Sequence, residues 1–297
     1  MGILKHIILP VLLLAASLSW AQTNALQEAI KLYQDGDLEE AQVSIEQAVK
    51  DSTLATNPTT WYLRGFIYKD LYKEKPQLDT IVAFRALATQ SFIQLLAIDN
   101  SGKYNADAYT SLKYIGVTLY NDAIKDLEAG EFERSKTRFE QFKANISSSN
   151  DTTIDVYSQE VDYYLNLGSL FTLLNQQNDT LGYLDSAKLA YNHVLGFDSL
   201  NVKANYNMGV LFYNQAVSII NDLDYDEVDL VAFSDIEDQS IELFKQSLPY
   251  MELAYSLAPN DRNTIEGLAG IYFSLRDFDK SNEFKAKLDT LPANGKN

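Results

Sequence analysis

Residues 247–261 read Ser-Leu-Pro-Tyr-Met-Glu-Leu-Ala-Tyr-Ser-Leu-Ala-Pro-Asn-Asp. Within this stretch Ser247, Met251, Ala254 and Pro259 stand at relative positions 0, 4, 7 and 12. Upstream, residues 205–212 read as a helix with a glycine on one face and an aromatic residue three positions later. The same two patterns recur along the chain, which makes internal repetition the first property to establish.

These patterns resemble the tetratricopeptide repeat (TPR). The second helix of that family carries small, bulky, small and proline positions at those intervals, and the first helix carries an aromatic residue, Leu-Gly and a tyrosine. Small residues that match the first helix are Ala29, Gly65, Gly116, Gly168, Gly209 and Ala269. Second-helix matches include Ala41, Ile45, Ala48, Ser135, Phe139, Phe142, Ala187, Tyr191, Val194, Ser281 and Leu288. The resemblance implies an all-α fold, a right-handed TPR superhelix (α-solenoid) of about six helix pairs.

The spacing of the repeats predicts lengthened hairpins. The small first-helix positions are separated by 36, 51, 52, 41 and 60 residues, against about 34 in a standard repeat. The intervals Gly116–Phe139 and Gly168–Tyr191 are 23 residues each, an excess of about two helical turns. We expect longer helices in the first case and an extended turn at 175–180 in the second. The largest insertion, between Phe212 and Ile241, predicts a long or broken helical hairpin.

The expected organisation is a signal peptide at 1–21, one solenoid over 22–290 and a polar tail at 291–297. The helix pairs are expected near 22–53, 58–99, 104–146, 153–199, 202–259 and 261–290. Two breaks are expected between helices, a loop at 146–153 and a stop at Lys75-Pro76.

The N-terminus has the pattern of a secretion signal. Lys5 precedes an apolar run from Ile7 to Leu18, and Ser19-Trp20-Ala21 predicts cleavage before Gln22. The run is too short to span a bilayer, although it could also form a buried N-terminal helix. No later window is apolar enough to span a membrane. We therefore expect an exported protein, periplasmic or extracellular in a Gram-negative bacterium, without a transmembrane segment in its mature chain.

Composition excludes several kinds of function. The chain has 24 Lys+Arg against 41 Asp+Glu, a net charge of −17, which argues against nucleic-acid binding. It has no cysteine, so disulfides, thiol catalysis and cysteine-based metal sites are excluded. Gly-x-Ser-x-Gly, P-loop and dinucleotide motifs are missing from the sequence, and His193 has no partner at metal-ligand spacing. The sequence therefore predicts no enzyme, no cofactor and no metal site.

Acidic residues raise two further possibilities. The segment 221–238 is strongly acidic, but Glu227 and Phe233 occupy positions where a calcium loop needs glycine and a bidentate glutamate. Seven Asp-Ser/Thr triplets resemble acceptors of general O-glycosylation in exported proteins, and they equally suit helix caps and turns. They begin at Asp51, Asp79, Asp151, Asp179, Asp185, Asp198 and Asp289.

The resemblance also implies a binding role, because TPR proteins commonly hold peptides or partner helices in a concave groove lined by first helices. Nine residues face that groove by register: Tyr62, Lys69, Asp70, Lys113, Tyr120, Asn121, Tyr206, Tyr213 and Asn214. Tyrosine suits an interface, although the same side chains could pack between helices. We expect an exported non-catalytic scaffold for protein or peptide partners, basic ones being favoured by charge. The alternative is a glycan- or ion-binding envelope protein that uses this groove and the acidic hairpin 221–238.

Overall fold

The computed structural model describes residues 25–177, 182–223 and 229–292. The expected signal peptide and the end of the tail, 293–297, lie outside these residues. Regular structure in the described ranges is helical, as the sequence predicts. In addition to α1 (25–35) and two 3₁₀ turns, Leu54–Thr56 and Pro76–Leu78, it comprises α2 Leu38–Lys50, α3 Pro58–Glu74, α4 Asp79–Val82, α5 Phe84–Ile98, α6 Asn105–Glu128, α7 Phe132–Ser148, α8 Val156–Gln177, α9 Tyr183–Phe197, α10 Val202–Asn221, α11 Leu230–Leu257, α12 Arg262–Ser274 and α13 Phe278–Thr290.

The chain divides into two compact units, Met1–Val156 (unit 1) and Tyr157–Asn297 (unit 2). In unit 1, α3 pairs with α5 and α6 pairs with α7, and α3 and α5 both contact α6. In unit 2, α10 pairs with α11 and α12 pairs with α13, and α10 and α11 both contact α12. Each unit is therefore a stack of antiparallel helix pairs, in which every pair buries its apolar face against the next one.

Close approach within the pairs depends on the small residues of the repeat pattern. A Cβ atom at Gly65 would lie 2.6 Å from the Phe92 ring, and one at Gly116 would lie 2.8 Å from Ile146. Second-helix serines strengthen the same contacts by donating to first-helix carbonyls. These bonds join Ser135 to Ala123 (2.7 Å), Ser247 to Gly209 (2.6 Å) and Ser281 to Ala269 (2.8 Å).

The longer hairpin predicted in the third pair is confirmed. Helices α6 and α7 contain 24 and 17 residues. Gly116 packs against Ile146, whereas Ala123, seven residues later, accepts the hydrogen bond of Ser135. The two small residues lie two turns apart on nearly the same face of α6, so the extra residues lengthen the hairpin and leave its packing face unchanged.

Two expected loops are partly helical. Helix α7 continues through residues 146–148 because Ile146 is buried against Gly116. Helix α8 continues through 175–177, since asparagine and glutamine disfavour a helix only weakly. The remaining residues of that expected turn, 178–180, lie outside the described ranges.

The predicted long hairpin in the fifth pair is confirmed where the structure describes it. Helix α10 has 20 residues and α11 has 28, and the Asp229 carboxylate caps α11 by accepting from the backbone amides of Val231 and Ala232. Residues 224–228 of the acidic segment lie outside the described ranges. The predicted break at Lys75-Pro76 is also confirmed, because α3 ends at Glu74. Among the described helices, none combines the length and the apolar character needed to cross a bilayer.

Candidate functional site

The first helices of unit 1, α1, α3 and α6, are joined by bonds from tyrosine to aspartate. The Tyr33 hydroxyl donates to Asp70 Oδ2 (2.6 Å), and the Tyr62 hydroxyl donates to Asp107 Oδ2 (3.0 Å). Burial and Asp107 raise the pKa of Tyr62 to about 12, and burial and Asp70 raise the pKa of Tyr33 further. Both hydroxyls therefore stay protonated donors at neutral pH, and they fix the spacing of the three helices.

Lys69, also on α3, is buried below these tyrosine–aspartate bonds. Its side chain is buried at 9% exposure, with Nζ 3.7 Å from the centroid of the Phe66 ring and 3.4 Å from Ser111 Oγ. Burial lowers the pKa of the ammonium group to about 8. Tyr62 and Asp70 are half-buried on the same helix, so the three residues predicted on α3 lie together but differ in their access to a partner.

Replacing Lys69 with methionine is expected to raise the free energy of unfolding of unit 1 by about 1–2 kcal/mol at neutral pH, because the apolar chain avoids burial of a charge. In the wild type the unfolded chain keeps this proton to a higher pH than the folded chain. Wild-type stability should therefore rise between pH about 8 and about 10, and the variant should lack that rise. Urea denaturation at about pH 7 and about pH 9.5 measures both effects.

The matched control is Lys73→Met, since the Lys73 side chain is 46% exposed. An equal gain from Lys69→Met at both pH values would contradict the explanation by charge burial.

Four exposed side chains form a line on α6, which we name the α6 stripe. Its members are exposed and recur at intervals of three or four residues, on one helix face: Thr110, Tyr114, Val117 and Asn121. Tyr114 and Val117 are each 39% exposed, and Lys73 Nζ lies 5.4 Å from the Tyr114 ring centroid. The sequence predicted only Asn121 of these residues. The other three precede Asn121 at helical intervals of three or four residues, so the sequence could have predicted them.

The other two predicted residues of α6 make contacts within the fold. Lys113 Nζ donates to Asp151 Oδ2 (2.7 Å) and Thr153 Oγ1 (2.9 Å). The hydrogen bonds that Asp151 accepts from Lys113 and then from Thr153 lower the pKa of its carboxyl group. The Tyr120 ring packs 5.0 Å, between centroids, from Phe142. Lys113 therefore holds the turn after α7, and Tyr120 helps to join α6 to α7.

In unit 2, Tyr206 and Tyr213 connect α10 to α12. Tyr206 packs against the apolar cluster around Met251 and Leu268, and its pKa is raised by burial and then by Asp261 and Glu266. A Cβ atom at Gly270 of α12 would lie 3.1 Å from the Tyr213 hydroxyl. Both tyrosines thus contribute to helix packing in addition to any contact with a partner.

Asn214 faces a different place, a polar pocket of about 580 Å³ between the ends of α8 and α10. Five carboxamide side chains line it: Asn175, Gln176, Gln177, Asn214 and Gln215. Oε1 of Gln215 is buried and has no hydrogen-bond partner in the described residues. We name this the amide pocket. Its groups both donate and accept, which suits peptide amides or hydroxyl groups.

The remaining polar candidates have structural partners. The His193 ring stacks on Tyr164 with 3.7 Å between centroids, and its Nε2 lies 3.0 Å from Glu160 Oε1. Over the part of the chain that the structure describes, no three His, Cys, Asp or Glu side chains are grouped to hold a metal ion. Asp51 Oδ1 accepts from the backbone amides of Thr53 and Leu54, which supports the turn-capping interpretation of its triplet.

No protein-family model and no curated protein matches the chain. Among solved structures, the chain is similar to a TPR repeats protein from Bacteroides fragilis, with 16% identity, a TM-score of 0.46, and coverage of 89% of this chain and 98% of that one. It is also similar to PilF from Pseudomonas aeruginosa, with 15% identity, a TM-score of 0.33 and 91% coverage of both chains. A third is PilW, a widely conserved type IV pilus biogenesis factor, with 16% identity, a TM-score of 0.29, and coverage of 91% and 92%.

The helix pairs are of the TPR type. This assignment rests on the small residues and serine bonds inside the pairs, which occupy the positions of the repeat pattern. The TPR register explains why Gly65, Gly116 and Gly168 each face a bulky residue of the paired helix.

Proposed function

We propose that the protein is an exported, non-catalytic scaffold of the cell envelope that binds protein or peptide segments through the first helices of its TPR units. The observation that carries this proposal is the α6 stripe, where Tyr114 and Val117 are exposed beside Lys73. A tyrosine, an aliphatic residue and an amide on one helix face offer apolar area and hydrogen bonds together, as protein interfaces do.

Preorganisation supports the same proposal. The bonds Tyr33–Asp70 and Tyr62–Asp107 hold α1, α3 and α6 at fixed spacing before a partner arrives. A surface that is already ordered loses less conformational entropy on binding than a mobile one. The net charge of −17 favours basic segments and increases their rate of association at low salt.

The test is a comparison of partners captured by two versions of the protein. Tyr114→Glu with Val117→Glu places two charges on exposed positions of the α6 stripe, so folding should be kept while binding is lost. We expect proteins recovered from envelope extracts by the wild type to fall at least tenfold in the variant, measured by quantitative mass spectrometry, because buried unpaired charges at an interface are costly.

The matched control is Leu189→Glu on α9, where the leucine is 71% exposed and lies in unit 2. Recovery of the same proteins in the same amounts by the wild type, the double variant and the control would contradict the proposal. Calorimetric binding of a cell-wall glycan fragment, lost on Asn214→Ala in the amide pocket, would favour the glycan-binding alternative instead.

Export has its own test. When the full chain is made in a Gram-negative host, the secreted or periplasmic fraction should contain a protein whose first residue is Gln22, because Ser19-Trp20-Ala21 suits a signal peptidase. N-terminal sequencing after cell fractionation measures this. An intact Met1 in the cytoplasmic fraction would contradict export.

A further inference from the structure

The long α10–α11 hairpin creates an apolar pocket beside the turn between α12 and α13. The helices α12 and α13 have 13 residues each, so the longer α10 and α11 extend past their turn. The pocket at this place has a volume of about 360 Å³. The side chains that matter here are Ile220, Leu223, Phe233, Ile236, Phe273 and Phe278.

Three phenylalanine rings around this pocket are open to solvent. Phe273 is 55% exposed, Phe278 is 53% exposed and Phe233 is 37% exposed. The Phe273 and Phe278 rings are in contact, with 5.6 Å between their centroids. Scattered exposed apolar residues are ordinary, but aromatic rings grouped around a concave surface mark an interaction site.

The turn beside the pocket has an unusual residue. Gly36 (φ 90°) and Gly130 (φ 77°) take the left-handed conformation between α1 and α2 and between α6 and α7. The corresponding residue between α12 and α13 is Arg276, with φ 63°. A side chain is unfavourable in this conformation, and such residues concentrate at functional sites. The Arg276 guanidinium lines the pocket and pairs with Glu237 of α11.

The two charged residues that line the pocket, Glu237 and Arg276, pair with each other, and most charged residues close to them in sequence are acidic. Four exposed carboxylates lie at the end of α10, just before α11 and in its first turns: Asp222, Asp229, Asp235 and Asp238. Asp277 and Asp279 flank Phe278 in the sequence, with Lys280 nearby. Arg276 is paired with Glu237 and Lys280 lies 4.0 Å from Asp277, whereas Lys285 Nζ lies 5.1 Å from the Phe273 ring centroid. The carboxylates outnumber these three cations, so the net potential that an approaching partner meets is negative.

We propose that this pocket binds a basic amphipathic helix of a partner protein, which inserts a bulky apolar side chain between Phe233, Phe273 and Phe278. The volume is near the lower end of ligand pockets and suits side chains of a helix that lies in a groove. Lysine or arginine residues beside the apolar face would meet the acidic residues of α11. This surface is separate from the α6 stripe, so the inference goes beyond the proposed function.

The experiment uses the full chain and two dye-labelled synthetic peptides in fluorescence anisotropy. Both peptides form a helix with phenylalanine and leucine at positions i, i+4 and i+7; one has lysines on its other faces and the second has glutamates. We expect the basic peptide to bind at least tenfold more tightly than the acidic one. The double variant Phe273→Ala with Phe278→Ala should weaken binding of the basic peptide at least tenfold.

Control variants separate the possible outcomes. Leu189→Ala removes an exposed apolar side chain elsewhere in unit 2 and should leave affinity unchanged. Arg276→Gly should fold normally and bind the basic peptide severalfold more tightly, because Glu237 loses its partner. Equal affinity for the two peptides, or unchanged affinity in the phenylalanine variant, would overturn the proposal. So would an equal loss in Tyr114→Ala with Val117→Ala, because the peptide would then occupy the surface of the proposed function.

Discussion

Replacing Arg85 with alanine is expected to lower the free energy of unfolding of unit 1 by about 3–5 kcal/mol, because it leaves the Asp79 carboxylate, whose side chain is only 9% exposed, without its counter-charge. Arg85 is 2% exposed. Its Nε donates to Asp79 Oδ2 (2.7 Å), and its second terminal nitrogen lies 2.9 Å from Asp122 Oδ2 on α6. The guanidinium carbon lies 4.5 Å from the Tyr72 ring centroid. One side chain thus ties the corner between α4 and α5 to two neighbouring helices.

Scanning calorimetry should show the transition of unit 1 falling by about 10 °C in this variant. The double variant Arg85→Met with Asp79→Asn should recover at least half of the loss, since it removes the buried charge of Asp79 together with its partner. Arg134→Ala is the matched control. Its side chain is 45% exposed and Arg138 remains bound to Asp126, so a loss of at most about 1 kcal/mol is expected. Equal losses for Arg85 and Arg134 would refute the argument from burial.

Gly168→Ala should destabilise unit 2 by about 2 kcal/mol, although alanine favours a helix more than glycine does. A Cβ atom at Gly168 would lie 2.7 Å from Cδ1 of Tyr191, inside van der Waals contact. The Tyr191 hydroxyl, 3.2 Å from Thr172 Oγ1, restrains the ring from moving aside. Either α8 and α9 separate or the ring leaves its rotamer, and both cost packing energy.

Gly196→Ala gives the contrasting result in the same unit. Gly196 is a helical residue of α9, and a Cβ atom there would meet nothing within 4 Å. This variant should gain about 0.5–1 kcal/mol from helix propensity alone. Urea denaturation of the wild type and both variants measures these changes in the free energy of unfolding. An increase in that free energy for Gly168→Ala would contradict close packing at the repeat position.

The helix pairs were predictable from sequence because each depends on a few residues at short range. A small residue such as Gly116 must face a bulky one such as Ile146, and both lie at fixed distances from the turn. The seven extra residues in the Gly116–Phe139 interval could be predicted from the sequence for the same reason. Helix α7 extends further than the sequence predicts because Ile146 is buried, and α8 extends further because asparagine and glutamine disfavour a helix only weakly.

The candidate surfaces were less predictable because they combine residues that are distant in sequence. Tyr33 and Asp70 are 37 residues apart, and only the stacking of α1 on α3 brings them together. Repeat register correctly located Lys69 on α3, but exposure depends on the neighbouring Phe66 and Ser111. The pocket near Arg276 required knowledge of how far α10 and α11 extend past the next pair.

The serine–carbonyl bonds also bear on the order in which the helix pairs form. Ser281 reaches Ala269 across 12 residues of chain, whereas Ser247 reaches Gly209 across 38. The entropy of loop closure grows with the logarithm of loop length, so the second contact costs about 1 kcal/mol more to close. During folding, the hairpin of α12 and α13 can nucleate first and offer its apolar face as a template. The α10–α11 hairpin would then close against it, and an unfolding chain would release the two in the opposite order.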